Sequence, residues 1–243
     1  PLTYMSAEQA MNYIEKQKKE QYKGKSTRVI VDQYADYIRM CNKLKKKLED
    51  EMIYKPRELK RRHDEAVEEI KVREIEIDSE EYSERYPEAE DVLKEIKKKF
   101  EYRGTEYFIM VPERIYDIVC EGRSLHHCVG STDRYFDRMA QHETYICFLR
   151  KVEEPDKPFY TIEVEPGGTI RQHRGMFDEE PELETVKPFL KEWQKEIRKR
   201  MSEEDHARAK QSKVLREANI RELQEKNNTR VLQGLMEDFM EAV

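Results

Sequence analysis

Between Ser26 and Leu48 the apolar positions Ile30, Tyr34, Tyr37, Cys41, Leu44 and Leu48 recur in alternating steps of four and three, the spacing of one buried helical face. A helix over this stretch is the firmest prediction of the N-terminal region. Ahead of it, Ser6 followed by Gln9 has the form of a capping box and starts a first helix running towards Tyr22. Pro56 fits the first position of a third helix, which places Leu59, His63, Ala66, Val67 and Ile70 on one face. Pro87 opens a fourth, with Val92, Leu93, Ile96 and Phe100 inward. Val72 to Ile77 alternates apolar and charged residues, so a short strand competes with helix there.

After residue 100 the period changes. Tyr107 to Val111 is a β-rich run stopped by Pro112, and Pro112 to Glu121 reads as a helix ended by Gly122. The segment Leu125-His126-His127-Cys128-Val129-Gly130 then precedes a helix that Ser131 or Thr132 would cap, with Tyr135, Phe136 and Met139 inward. Three strands follow, Thr144 to Arg150, Phe159 to Glu165 and Thr169 to Arg174, the last two joined as a hairpin by Pro166-Gly167-Gly168. Helix returns with Leu183, Val186, Phe189, Leu190, Trp193 and Ile197 on one face, and Ser202 with Asp205 caps another. The last apolar turns (Val231, Leu232, Leu235, Met236, Phe239, Met240) imply docking on the body of the protein or on a partner helix, a homo-oligomer through this helix included. The predicted class is α+β, mainly helical, with a small, largely antiparallel sheet of about four strands flanked by helices. Three parts are expected: a charged helical region over 1–100, an α+β core over 101–200 and a helical extension over 201–243.

Composition narrows the function classes. Charged residues make up 40% of the 243 and hydrophobic ones 37%, with 8 Gly and 9 Pro, too few turn formers for an all-β chain. No apolar run is long enough to span a membrane and no secretory leader is evident, so a cytoplasmic protein is expected. The 46 basic and 52 acidic residues leave a net charge of −6, so nucleic acid would have to be met by local patches. Basic runs such as Arg57-Lys60-Arg61-Arg62 and Lys97-Lys98-Lys99 are candidates, but acidic residues flank them and a solvated helix face explains them as well. Four cysteines in no zinc-type spacing read as free thiols. The chain begins at Pro1 rather than Met, as expected of a processed protein or the excised part of a longer one.

The densest chemistry lies at His126-His127-Cys128. A cysteine ahead of a helix N-terminus beside histidine is placed to be a thiolate nucleophile, with His173 as base or orienting partner in a papain-like order. An inert thiol beside Leu125 and Val129 is the competing reading. In the hairpin, a type I′ turn on Gly167-Gly168 sets Glu163 opposite Gln172 and Thr161 opposite Arg174, all on one face, with Ile162, Val164 and His173 on the other. A turn centred on Pro166-Gly167 changes the partners but keeps the face. Such a face suits a polar or phosphorylated ligand, or ordinary cross-strand pairing, and Arg150 either reaches it or solvent. Zinc held by Cys120, His126 or His127, Cys128 and His173 matches no standard spacing. No cofactor is assigned.

From Glu121-Gly122-Arg123-Ser124-Leu125-His126-His127-Cys128-Val129-Gly130 onward the sequence resembles the PcfJ-like proteins of conjugative plasmids and related mobile elements. The likeness continues through Thr144-Tyr145-Ile146, Phe148-Leu149-Arg150, Pro155-Asp156-Lys157-Pro158, Thr161-Ile162-Glu163, Gln172 and Gly175. Upstream, Tyr34 to Met40 and Pro56 to Asp64 also fit, so it spans roughly residues 30 to 200. The resemblance implies the C-terminal portion of a larger bacterial protein encoded with DNA-transfer machinery, with nucleic acid or transfer proteins as partners. It also raises the polar face to a site: His127, Cys128 and Glu163 as candidate catalytic residues, His126, Arg150, Gln172 and Arg174 as ligand contacts. The rival classes are an interaction scaffold without catalysis and a cysteine-dependent hydrolase.

Overall fold

A computed structural model describes residues 4–242; Pro1, on which the expectation of a processed chain rests, lies outside the described residues. The chain divides into two compact units, Pro1–Ile77 and Asp78–Val243.

The first unit is helical. Helices α1 (Ala7–Glu20) and α2 (Thr27–Lys43) are followed by the short α3 (Glu51–Tyr54) and the start of α4 (Leu59–Arg85). The Ser6/Gln9 capping box is formed, and Ser26 caps α2. The predicted stripe is buried: Ile30, Tyr34, Tyr37 and Cys41 join Tyr13, Ile14, Leu59 and Ala66 in one core. Pro56 does not open the third helix. Gln17 of α1 accepts the Leu59 N–H at 3.1 Å and Gln21 that of Lys60, so these side chains satisfy the free donors of a helix that begins three residues later. The strand considered at Val72 to Ile77 is absent. That stretch is the middle of α4, where neighbouring pairs such as Lys71–Glu68 support a charged, exposed helix.

In the second unit, α5 (Pro87–Phe100) starts on Pro87 as predicted. It leads into β1 (Tyr102–Arg103), β2 (Tyr107–Met110), α6 (Ile115–Leu125), α7 (Arg134–Ala140), β3 (Tyr145–Lys151), β4 (Tyr160–Val164) and β5 (Ile170–Arg174). The C-terminal helices are α8 (Leu183–Lys199), α9 (Glu203–Glu225) and α10 (Thr229–Asp238). The five strands form an antiparallel sheet in sequence order, one strand more than expected because β1 is only two residues long. One sheet face carries Tyr145, Cys147, Leu149, Tyr160, Ile162 and His173. Towards it α8 buries Trp193, whose indole N–H donates to the Phe100 carbonyl while the Phe100 ring meets Tyr145 edge-on. The other face carries Ile146, Phe148, Arg150, Thr161 and Glu163, and α6 and α7 pack against it.

Two backbone features shape the site, the first a departure from the sequence reading and the second one of its two alternatives. Gly122 does not end α6; the helix runs on to Leu125, and His126 terminates it in the left-handed region at φ 56°. Gly122 is there because the Val129 carbonyl folds back against it, where an added Cβ would lie 1.6 Å from the oxygen. The hairpin turn is centred on Pro166-Gly167, the Gly168 N–H donating to the Glu165 carbonyl at 2.8 Å and Gly168 itself left-handed at φ +84°. Yet Glu163 still faces Gln172 and Thr161 still faces Arg174. Two extra residues reconcile these: Gly168, since the Glu165 N–H donates to the Thr169 carbonyl at 2.8 Å, and Arg171 in a β-bulge, since Ile170 faces Val164 and Gln172 faces Glu163.

Candidate functional site

The motif segment is a loop folded against α6. Gly130, left-handed at φ +77°, comes so close to Val119 that a Cβ would sit 2.6 Å from its Cα. Held in this way, the loop presents His127 and Cys128 to the polar face of β4 and β5. The His127 imidazole meets Thr161 through Nε2 to Oγ1 at 3.1 Å, and its Nδ1 is buried with no partner. Burial holds its pKa below the usual histidine value, with the Asp178 carboxylate pulling the other way, so the ring is neutral at pH 7. Cys128 is exposed, its Sγ 3.3 Å from the Tyr135 hydroxyl. Burial, then the Glu163 carboxylate, drives the Tyr135 pKa far up, so that hydroxyl stays protonated.

A cleft of about 410 Å³ lies between loop and strands. Its floor is Thr161, Glu163, Gln172 and Arg174, its wall His127, Cys128 and Tyr135, and Arg230, Val231, Gly234 and Leu235 of α10 close the opposite side. Glu163 is buried and accepts from Arg138 at 2.9 Å. Arg174 is held by Asp238, with Nε to Oδ2 at 2.8 Å, and donates to the Asp178 carbonyl. Burial pushes the Asp238 carboxyl up to about 7 despite Arg174, with the Glu180 carboxylate adding to the rise. The side chains of Arg230 at the rim and Gln172 on the floor have no hydrogen-bond or ion-pair partner among the described residues.

His127, Cys128, Glu163, Gln172 and Arg174 are therefore brought together, and Arg150, His126 and His173 are not. Arg150 points from the same sheet face but under α6, in a buried bidentate pair with Glu121 (Nη1 to Oε1 2.8 Å) and over the Phe148 ring, outside the cleft lining. His126 projects outward and stacks on Phe177, ring centroids 4.7 Å apart at 8°. His173 is fully buried on the opposite face, 3.1 Å from Glu180, so no Cys128–His173 pair forms. Cys128 also follows the carbonyl end of α6 instead of preceding a helix N-terminus: α7 begins six residues on, at Arg134, and Asp133 stands at its cap position rather than Ser131 or Thr132. Among the described residues no three His, Cys, Asp or Glu side chains converge to hold a metal ion. Nor is any described helix long and apolar enough to cross a membrane.

This geometry makes a definite prediction for Cys128. In the native protein at neutral pH, iodoacetamide should label Cys128 first, because Cys41 and Cys147 are buried and Cys120 is half-buried. The rate should match that of an unstructured cysteine peptide, since no imidazole bonds its sulfur. Peptide mass mapping over time measures both, and labelling at least about tenfold faster than the peptide would restore the nucleophile reading.

Sequence reasoning missed the α10 contribution; the signal was present as the apolar run from Val231, but nothing local says which surface it meets. It also missed Tyr135 as a cleft residue, having assigned it to the core. A wider groove of about 1070 Å³ in the first unit is lined by Lys16, Lys55, Arg57, Arg61 and Arg62, all but Arg57 paired with carboxylates.

Comparison with known proteins places this geometry in a family. The Listeria innocua uncharacterized protein Lin1253/Lin1744 is 30% identical over 148 residues, which is 61% of this chain and 30% of that relative. No solved structure matches. The profile of the PcfJ-like protein family matches residues 33–190, taking in the folded-back motif loop and all five strands, and this chain belongs to that family.

Proposed function

We propose that the second unit binds nucleic acid through the cleft between the motif loop and the β4–β5 hairpin, as part of the DNA-transfer machinery of a mobile element. The observation that carries this reading is the convergence of neutral His127, unpartnered Gln172, and Arg174 and Arg230 in a cleft whose volume falls within the range of ligand sites. A primary amide offers both a donor and an acceptor to a base edge, while a rim guanidinium offers bidentate contact to phosphate. The link to DNA transfer comes from the likeness to plasmid-borne PcfJ-like proteins: the floor and the loop wall of the cleft lie within the matched residues, and the α10 wall with Arg230 lies beyond them.

Fluorescence anisotropy with labelled DNA and RNA tests it. Binding is expected at low salt and should weaken as salt rises, and Arg230→Ala should reduce the slope of log K against log salt by roughly 0.7 to 0.9, one phosphate contact. Gln172→Ala should lower affinity without changing that slope. Failure of the unsubstituted chain to bind any DNA or RNA at low salt would sink the reading in favour of a scaffold built from ion-paired helices.

A further inference from the structure

We infer that the stacked pair Phe177 and His126 is a platform for one unstacked base of a single strand entering the cleft. This deepens the nucleic-acid reading and rests on it. Phe177 is 63% exposed, an unusual setting for a phenyl ring in a chain with ample core to bury it. Its backbone is left-handed at φ 55°, as is that of Asp178 at φ 61° and, across the stack, His126 at φ 56°. Left-handed geometry is disfavoured for residues with a Cβ, and three such residues in one place are held by the surrounding bonds. The Gly175 N–H donates to the Glu179 carbonyl at 2.8 Å, Arg174 donates to the Asp178 carbonyl, and an added Cβ at Gly175 would meet the Glu179 oxygen at 3.0 Å.

The fold thus holds an aromatic ring outward. Parallel stacking occupies one face of each ring, and both residues remain exposed to solvent. An open aromatic face beside the rim guanidinium of Arg230 is what single-strand binders offer to a base and its phosphate, since every base has a π face. The position fits: the sequence neighbours of the two rings, His127 and Asp178, both line the cleft. A base resting on Phe177 can have its neighbour's edge met by Gln172 and its backbone by Arg230. Interior bases of a duplex cannot use the platform, because both of their faces are already stacked.

The test compares the full chain with Phe177 variants on a labelled single strand, the same strand with abasic sites, and a covalently closed circular duplex, which has no free end. Phe177→Ala should weaken binding of the base-bearing strand roughly five- to hundredfold and leave binding of the abasic strand and the duplex unchanged. Phe177→Tyr should restore it. Phe177→Gly should lose binding equally while keeping or raising the melting temperature, because glycine accepts the left-handed backbone. A lowered melting temperature in Phe177→Gly would mark Phe177 as structural and overturn the platform. So would equal weakening on base-bearing and abasic strands. If Arg230→Ala weakens binding while Phe177→Ala does not, the platform falls and the cleft reading stands. If the unsubstituted chain binds no strand at low salt, both fall together.

Discussion

Replacing Arg150 with alanine is expected to destabilise the sheet-bearing unit by about 3–5 kcal/mol, the cost of leaving a buried carboxylate without its partner. Arg150 and Glu121 are both almost fully buried and share two parallel hydrogen bonds that tie α6 to β3. Burial already raises the Glu121 pKa against the pull of Arg150. Without the guanidinium it rises further, so the folded variant holds a proton that the unfolded chain releases. Stability of Arg150→Ala should therefore fall as pH rises and recover part of its deficit in acid, which urea titrations at acidic and neutral pH will read. The double variant Glu121→Leu with Arg150→Met should regain most of the loss, because an apolar pair of similar volume avoids the desolvation cost. That variant also separates packing from recognition. Retained nucleic-acid binding would assign Arg150 to holding α6; lost binding in a stable double variant would return it to the ligand contacts suggested by the sequence.

How much was legible follows the range of the forces involved. The α2 stripe, the Pro87 start and the shared face of Thr161, Glu163, Gln172 and Arg174 come from local periodicity, and the fold keeps all three. The side of the sheet taken by His173 was also readable, because strand parity puts it opposite Ile162 and away from Glu163. Parity could not show that α6 would cover Arg150 while leaving Gln172 open. Val72 to Ile77 misled because alternation signals a strand only if a neighbouring strand exists to pair with. Arg171 was opaque for another reason: a bulge changes which face a residue takes without leaving a periodic mark. The bulge directs that buried guanidinium to Glu143 and Glu165 at the foot of the Glu163 side. The α10 wall lies about sixty residues beyond the floor it covers, and no local pattern spans that distance.

Gly122→Ala sets helix propensity against a close approach, and the two give opposite signs. If Gly122 only ended a helix, alanine in its place would cost little. Because it lies inside α6, helix propensity alone predicts that alanine stabilises by about 1 kcal/mol. The loop reverses this, since the new Cβ would lie 1.6 Å from the Val129 oxygen and 2.7 Å from its carbonyl carbon. Those atoms are backbone and cannot rotate aside, so the loop must lift from α6 and carry His127 and Cys128 away from Thr161 and Tyr135. We expect a loss of about 3 kcal/mol or more, the upper end for overpacking, with nucleic-acid affinity lost in the fraction that remains folded. Gly234→Ala is the internal control: it too is inside a helix, α10, and nothing lies within 4 Å of its added Cβ. There alanine should stabilise by up to about 1 kcal/mol. Chemical denaturation of both variants decides the matter, and a stabilised Gly122→Ala would mean that the motif loop does not rest on α6.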